Sequence, residues 1–150
     1  MTAEENKTTI RRLFNVINSN ELSALDELVD ENFEYKATSG EEYTGLDGFK
    51  DLVSAYHEAF DDFEVNIEEM IIDGDKCLML YSQRGRHTGE LLGIPASNNE
   101  MELWIASKGT FKNGKLVEVF DIFDTLELLG QLDALPEEVQ EWSSGAGRRN

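Results

Sequence analysis

The prevailing hydrophobic period of this chain changes at Asp61-Asp62, and this change narrows the possible folds. Before this point the apolar residues recur at spacings of three and four residues, which is the period of a helix. After it they alternate with polar residues, as Phe63, Val65 and Ile67 do with their neighbours, which is the period of a strand. Helices and strands that come in separate runs are typical of an α+β fold.

The first sixty residues predict three helices and one strand. Thr2 and Glu5 form a capping-box pattern at the start of the first helix, and Asn18-Ser19-Asn20 is expected to end it. The other elements of this half are a shorter helix with apolar residues at 22–29, a strand over 33–38, and a helix that starts at 46–47 and carries an apolar stripe from 49 to 60.

The second half predicts antiparallel strands and a last short helix. The elements are a strand around 63–67, a turn at 73–75, a strand over 76–88, a loop over 89–99, a strand over 100–112, a hairpin turn at 113–114, a strand over 116–123 and a helix over 125–132. We expect a curved, mostly antiparallel sheet with the N-terminal helices on one face around a pocket. This single domain is expected to span 1–136, and 137–150 to form a polar tail that is frayed from 143 onward.

The charge of the chain excludes some classes of partner. The net charge is −18, from 31 acidic and 13 basic residues, and phosphates of nucleic acids or anionic membranes would be repelled. Two interpretations of the acidic excess remain open. The protein is adapted to high salt, where screening weakens the repulsion, or it is an acidic protein of an ordinary medium.

Cysteine use and hydropathy predict a cytoplasmic protein. Cys77 is the single cysteine and lies in an apolar run, so it is read as a small buried hydrophobic residue without a disulfide partner. No apolar run approaches the ~20 residues of a membrane helix, and the first residues lack the hydrophobic segment of a signal peptide.

Several short motifs occur in the order and at the spacing of one known family. They are Asn6-Lys7, the segments 45–49, 73–75, 85–95 and 113–115, Glu118-Val-Phe120 with Asp124 four residues on, and Gln131-Leu132. With these motifs the chain as far as about Pro136 resembles the SnoaL-like polyketide cyclases, in the broad ester-cyclase branch of the nuclear transport factor 2-like superfamily.

The resemblance implies a cone-shaped α+β barrel with a deep apolar pocket, a homodimer packed sheet to sheet, and no metal or organic cofactor. In characterised cyclases of the family, an aspartate in the pocket acts as acid and base during the intramolecular aldol closure of a polyketide ester. Asp124 matches the position of that aspartate, and His87 matches a pocket histidine. The chain has Phe120, Tyr35, Thr110 and Asp133 where Trp, His, Arg and Gly are common, so the substrate does not carry over.

Strand alternation gives a physical reason for a site at the end of the last strand. It places four residues on one face, namely Glu118, Phe120, Ile122 and Asp124. If this face points into the pocket, desolvation raises the pKa of Asp124 and suits it to proton transfer near neutral pH, while His87 or Tyr35 stabilises the enolate. Asp124 and Glu127 also form a helix-capping pattern, so a pocket acid and a structural cap both remain open for Asp124.

Other residues are candidates for contacts with a substrate. They are Tyr35, Tyr56, Phe60, Met79, Tyr81, Trp104, Glu118 and Phe120. The apolar and aromatic members also fit a plain core, and Glu118 also fits a structural ion pair. His57 and His87 lie 30 residues apart and show no metal-binding spacing, so we predict no metal.

Three functions are compatible with these patterns. The leading hypothesis is a cofactor-independent cyclase or isomerase that acts on an apolar carbonyl or ester compound, with Asp124 as general acid and base and His87 as its polar partner. The second is a non-catalytic protein that binds a small apolar ligand. The third is an epoxide hydrolase, which needs an Asp–Arg–Asp arrangement around a water. It ranks last because alternation places Arg84 and Arg86 on the face opposite His87.

Overall fold

The computed structural model describes residues 2–143. The helices are α1 (Ala3–Ser19), α2 (Gly45–Ala59) and α3 (Thr125–Gln131), with 3₁₀ helices at Leu22–Glu27 and Glu137–Trp142. The strands are β1 (Val29–Ala37), β2 (Glu42–Thr44), β3 (Phe60–Asp73), β4 (Lys76–His87), β5 (Glu100–Lys112) and β6 (Lys115–Ile122).

Local signals set the ends of the first helix as predicted. The hydroxyl of Thr2 accepts the backbone N–H of Glu5 at 3.1 Å, and the Glu5 carboxylate accepts the backbone N–H of Thr2 at 3.2 Å. This is a complete capping box, which satisfies two otherwise unpaired donors. Asn20 ends the helix in the left-handed conformation at φ 58°. The predicted second helix is a 3₁₀ helix, and Val29 already belongs to β1.

The six strands form one open sheet in the order β2-β1-β6-β5-β4-β3. All neighbours are antiparallel except β1 and β6, which run parallel. Helices α1 and α2 pack on one face, chiefly against β3 and β1, and the hydrophobic core lies between these two layers. The predicted α+β class and the curved, mostly antiparallel sheet are confirmed, and the sheet has two free edges instead of closing into a barrel.

A β-bulge in the β5–β6 hairpin decides which face of β6 points inward. Next to the hairpin turn, Phe111 pairs with Leu116, but the register then shifts by one residue, so that Ser107 pairs with Asp121. Without this shift Ser107 would face Phe120. Side chains alternate along a strand, so a shift of one residue exchanges the two faces of everything that follows. Asp121 therefore points into the interior, and Phe120 points away from it.

The outer face of the sheet carries an apolar surface that we call the outer patch. It is formed by Leu78, Trp104, Phe120 and Ile122, whose side chains are 38–57% exposed. Strand pairing places them side by side on β4, β5 and β6, because Leu78 and Phe120 both lie opposite Lys108.

The chain after α3 folds back onto that helix. Ser143 is buried, and a Cβ atom at Gly130 would lie only 2.0 Å from its hydroxyl oxygen, so glycine is required at this contact. The predicted polar tail thus starts with a 3₁₀ helix and a packed serine, and its remaining part, 144–150, lies outside the described residues.

Candidate functional site

A cavity of about 90 Å³ lies between the helices and the inner face of the sheet. Most of its wall is apolar and comes from α1, α2 and the inward-facing residues of β3 to β6. The polar side chains of its wall are Tyr35, Tyr56, Tyr81, Gln83, Ser107 and Asp121. The cavity therefore combines a hydrocarbon-like wall with a small number of hydrogen-bonding groups, which is typical of sites for small molecules.

Asp121 is the charged residue of this wall, and two tyrosines hold it in place. The hydroxyls of Tyr35 and Tyr81 both donate hydrogen bonds to Asp121 Oδ2, each at 2.8 Å. Tyr35 comes from β1 and Tyr81 from β4, so the two strands that flank the β5–β6 hairpin both contribute. The other carboxylate oxygen, Oδ1, is buried and has no hydrogen-bond partner among the described residues.

Burial raises the pKa of the Asp121 carboxyl group above its ordinary value. The hydroxyls of Ser107, Tyr35 and Tyr81 oppose this rise because they favour the ionised form. Desolvation and the nearby negative charge of Asp121 raise the pKa of both tyrosines, so their hydroxyls stay protonated and act as donors. Oδ2 is occupied by these two donors. A proton on Asp121 is therefore carried by Oδ1, the oxygen that the two tyrosines leave unoccupied, and the Ser107 hydroxyl lies beside the carboxyl group.

A second carboxylate lies behind the cavity wall. Glu41 accepts hydrogen bonds from the hydroxyls of Ser39 at 2.9 Å and Tyr56 at 3.2 Å. Desolvation raises the pKa of Glu41, and the charge of Asp121 contributes in the same direction. The two acids are thus electrostatically coupled, because ionisation of one disfavours ionisation of the other.

Asp124 does not line this cavity, so the expectation that it points inward is wrong. Its side chain is exposed, and Oδ1 accepts the backbone N–H of Glu127 at 3.0 Å, which makes it the N-cap of α3. The bulge in the β5–β6 hairpin is the physical reason. Glu118, Phe120 and Ile122 share a face as expected, but this face is the exposed one.

His87 is fully buried at the end of β4 and also lies outside the cavity wall. Its ring packs 5.3 Å from the ring of Phe60, and Nδ1 accepts the backbone N–H of Ser97 at 3.1 Å. Burial lowers the pKa of His87, and the backbone of Gly89 offsets part of this effect. The neutral imidazole therefore holds the connection between β4 and β5.

The other candidate residues divide into three groups. Four line the cavity, namely Tyr35, Tyr56, Met79 and Tyr81. Phe60 is buried beside the cavity wall and packs on Tyr56 and His87. Trp104, Glu118 and Phe120 lie on the exposed face of the sheet, so a direct contact with a ligand in this cavity is excluded for them.

Sequence reasoning missed Asp121, Gln83 and Ser107. The alternation of β5 is clear and places Ser107 inward, and the hairpin turn links β5 to β6. A bulge in that hairpin was the one additional fact needed to place Asp121 opposite Ser107. Cys77 also lines the cavity, and burial raises the pKa of its thiol to about 11, so it is not a thiolate at neutral pH.

Within residues 2–143, no three His, Cys, Asp or Glu side chains come together in a way that could hold a metal ion. The absence of a metal or cofactor in the working protein stays a prediction. Over the same residues, no helix combines the length and the apolar character that are needed to cross a membrane.

The fold and the cavity define a pocket protein in which helices cover one face of a curved sheet. The sequence profile of the SnoaL-like polyketide cyclases matches residues 7–132, which is most of the chain. The chain belongs to this family. No curated protein matches the sequence.

Solved structures support the same fold. The protein is similar to TsrD from Streptomyces laurentii, with a TM-score of 0.81, 21% identity, and 90% of this chain and 99% of that chain covered. It is similar to a protein of Jannaschia sp. CCS1 that is assigned to the SnoaL-like polyketide cyclases, with a TM-score of 0.79, 21% identity and coverages of 89% and 94%. An LEH-like epoxide hydrolase of M. tuberculosis matches with a TM-score of 0.68, 16% identity and coverages of 86% and 90%.

Proposed function

We propose that this protein is a cofactor-independent acid–base enzyme that cyclises or isomerises a neutral carbonyl or ester compound in the cavity. The observation that carries the proposal is Asp121, a buried carboxylate with one oxygen held by two tyrosines; its other oxygen, Oδ1, has no hydrogen bond of standard geometry within residues 2–143, although the Ser107 hydroxyl lies close enough to stabilise the charge. A carboxyl group with a raised pKa transfers protons efficiently near neutral pH. Membership of a family of polyketide cyclases supports the same class of reaction.

The proposed chemistry begins with the removal of a proton next to the carbonyl group of the ligand. Asp121 Oδ1 accepts this proton and becomes a neutral carboxylic acid, and the ligand becomes an enolate. In a cyclisation, the enolate carbon then attacks a second carbonyl carbon of the same molecule and forms a C–C bond. The resulting alkoxide takes the proton back from Oδ1, which restores the carboxylate. In an isomerisation, the proton returns to a different carbon atom.

Tyr35 and Tyr81 have a positioning role in this proposal. Both hydroxyls are committed to Oδ2, so they fix the carboxylate plane and leave Oδ1 as the oxygen that exchanges the proton. They also stabilise the ionised form, which keeps part of Asp121 in the base form despite its burial. For Asp124 and His87 we propose structural roles, as helix cap and as anchor of the β4–β5 connection.

The proposal is tested by hydrogen exchange, which needs no knowledge of the natural substrate. A panel of ketones and esters with one to three rings is incubated with the protein in D₂O, and ¹H NMR follows the protons next to each carbonyl group. We expect catalysed exchange of at least one compound. Asp121→Asn should reduce it by about 10²-fold or more, in line with the usual contribution of a general base. Asp124→Asn is the matched control and should exchange at the wild-type rate. Equal rates for Asp121→Asn and the wild type would refute the role of Asp121.

A non-catalytic ligand-binding protein is the second candidate, and the mostly apolar wall of the cavity favours it. It predicts bound ligand with no exchange above the buffer rate. An epoxide hydrolase is supported least. Arg84 and Arg86 lie outside the cavity wall, where they pair with Glu64 at 3.3 Å and Glu100 at 2.9 Å, and the described wall contains no arginine.

We further propose that two copies form a homodimer through the outer patch. Lys108 lies in the middle of this patch, and Glu102 and Glu118 lie at its borders. In a two-fold pairing the same surface is used by both copies, so the lysine of each copy can approach a carboxylate of the other. From the sequence, we also propose that the protein is located in the cytoplasm.

A further inference from the structure

The volume of the cavity limits the size of its ligand. An apolar cavity of about 150 Å³ holds one benzene molecule, which is about 25 Å³ per heavy atom, whereas sites for drug-sized ligands measure about 300–1,000 Å³. On this scale the 90 Å³ of the present cavity corresponds to about four heavy atoms. Rotation of a flexible wall residue such as Met79 adds room for a single small ring. A compound of three or four fused rings is far larger than this volume, so it would have to displace the walls or extend through the open side of the cavity.

Aromatic pairs that join the two layers set this volume. The ring of Phe14 on α1 packs edge to face on the ring of Tyr81 on β4, with the ring centres 5.1 Å apart. Tyr56 on α2 and Phe63 on β3 have their ring centres 5.5 Å apart. All four rings belong to the cavity wall, and each of the two pairs joins a helix to the sheet. A larger ligand would have to separate pairs that stabilise the fold.

The polar groups of the wall define the chemistry of the ligand. Asp121 is the charged side chain of the described wall, and no lysine, arginine or histidine belongs to that wall, so an anionic ligand would be repelled. The amide of Gln83 also faces the cavity, and among residues 2–143 its one side-chain hydrogen bond is a weak contact of 3.9 Å from Nε2 to the sulfur of Met101. One N–H of Gln83 is therefore available to a carbonyl oxygen of the ligand.

Asp121 and Gln83 come from different strands, β6 and β4, and both line the same cavity. Because this cavity measures only about 90 Å³, one small ligand in it can contact both groups. Its carbonyl group would lie at the amide, and the neighbouring carbon would lie at the carboxylate.

We propose that the cavity binds a neutral ketone or ester with at most one small ring, whose carbonyl oxygen accepts a hydrogen bond from Gln83. This inference rests on the proposed function, because it assigns the substrate class to the site around Asp121. It separates the protein from enzymes that close multi-ring polyketides, and it makes Gln83 a specificity-determining residue of the site.

A matched series of ketones tests the size limit by binding alone. Cyclopentanone, 1-indanone and 9-fluorenone contain the same five-membered ketone with no, one and two fused benzene rings. Binding to the full chain is followed by two-dimensional ¹H–¹⁵N NMR. We expect cyclopentanone to shift the signals of cavity residues, 1-indanone to bind at least tenfold more weakly, and 9-fluorenone not to bind. Tightest binding of 9-fluorenone, or no binding of any of the three, would overturn the inference.

Two kinds of variant test the residues that carry the inference. Met79→Ala and Phe14→Ala enlarge the cavity and should improve 1-indanone binding at least tenfold relative to cyclopentanone. If only one of these two variants folds, that variant alone tests the size limit. Ile71→Ala on the exposed face is the control. Gln83→Leu should weaken cyclopentanone binding at least fivefold. Unchanged cyclopentanone binding in Gln83→Leu would overturn the assignment of the carbonyl donor.

The binding and exchange experiments together separate the size limit of the cavity from the proposed catalysis. Binding of cyclopentanone without exchange supports the size limit and refutes catalysis. Exchange that is restricted to the larger ketones, and that depends on Asp121, supports the proposed function and refutes the size limit.

Discussion

Asp121 is the residue at which stability and proposed activity conflict. Its burial raises the pKa of the carboxyl group, so the charged form is more costly in the folded protein than in the unfolded chain. Below an unfolded pKa of about 4 both states are protonated and this cost is absent. As the pH rises through the folded pKa, the native carboxyl ionises and its contribution to the free energy of unfolding decreases. The same raised pKa is what makes Asp121 a suitable proton acceptor.

Replacement of Asp121 should therefore change the dependence of stability on pH. Compared with the wild type, Asp121→Asn should gain free energy of unfolding between pH 4 and pH 8, by about 1.4 kcal/mol for each unit by which the folded pKa is raised. The measurement is urea denaturation of both proteins at a series of pH values. A stability difference that stays constant from pH 4 to pH 8 would show that the Asp121 carboxyl is not perturbed.

Asp124 should behave as a helix cap. Asp124→Ala removes the acceptor for the backbone N–H of Glu127 and should cost about 1 kcal/mol of unfolding free energy, without an effect on ketone exchange. Asp124→Ser keeps a capping oxygen and should recover most of the loss. Thermal denaturation and the exchange assay together check this. Loss of exchange in both variants would indicate that Asp124 takes part in catalysis.

At the scale of the elements, the close approach of two segments fixes the end of β4. A Cβ atom at Gly89 would lie 2.2 Å from the backbone oxygen of Glu58, next to the end of α2. Gly48 inside α2 differs, since a Cβ atom there would meet its nearest neighbour at 3.4 Å, which is ordinary contact. Substitution of Gly89 therefore tests the contact between α2 and the β4–β5 connection, and substitution of Gly48 serves as the comparison.

Alanine at these two positions should have opposite effects. Gly89→Ala should destabilise the protein by about 1–3 kcal/mol, because backbone atoms must move. Gly48→Ala should stabilise it by about 0.5–1 kcal/mol, because alanine has a higher helix propensity. Chemical denaturation measures both values. A Gly89→Ala variant as stable as the wild type would contradict the packing of this connection.

The sequence predicted those elements whose signals are local. The capping box of α1 and the one-sided alternation of β5 place these elements well, since their causes lie within a few residues. Strand β2 has only three residues and no period to detect. The parallel pairing of β1 with β6 joins segments that are about eighty residues apart, and no local pattern encodes it.

The candidate site was predicted in part for the same reason. Tyr35 and Tyr81 face inward as expected, and they identify the polar part of the cavity. Strand β6 is apolar on both faces, with Val119 inside and Phe120 outside, so hydropathy alone cannot show which face is buried. Only the bulge selects Asp121 over its neighbours, and a bulge depends on how two strands pair.

At the scale of the whole molecule, charge and the outer patch act against each other. Each chain has a net charge of −18, so two copies repel each other at low ionic strength. The outer patch leaves large apolar side chains in water, which favours association. Salt shortens the range of the repulsion from about 10 Å at 0.1 M to about 3 Å at 1 M, so association should depend strongly on salt.

The proposed dimer should become at least tenfold tighter when NaCl is raised from 0.1 M to 1 M, because the repulsion between two acidic chains is screened. Sedimentation velocity over a range of protein concentrations measures this. Phe120→Glu adds a charge at the middle of the patch and should give a monomer, whereas Leu92→Ala, at an exposed leucine of the β4–β5 connection, is the control. A wild-type monomer at all salt concentrations, or an unchanged dimer of Phe120→Glu, would contradict the interface.

The central claim is that the carboxyl group of Asp121, buried between two tyrosines, is the group that exchanges protons in the cavity. Its most direct test is a pH titration of the aspartate side-chain carbons by ¹³C NMR, with Asp121→Asn to assign the signal. We expect the Asp121 signal to titrate clearly above the usual aspartate value of about 4 and to shift when cyclopentanone is added. An Asp121 signal that titrates at or below about 4, and that does not respond to the ketone, would contradict the account.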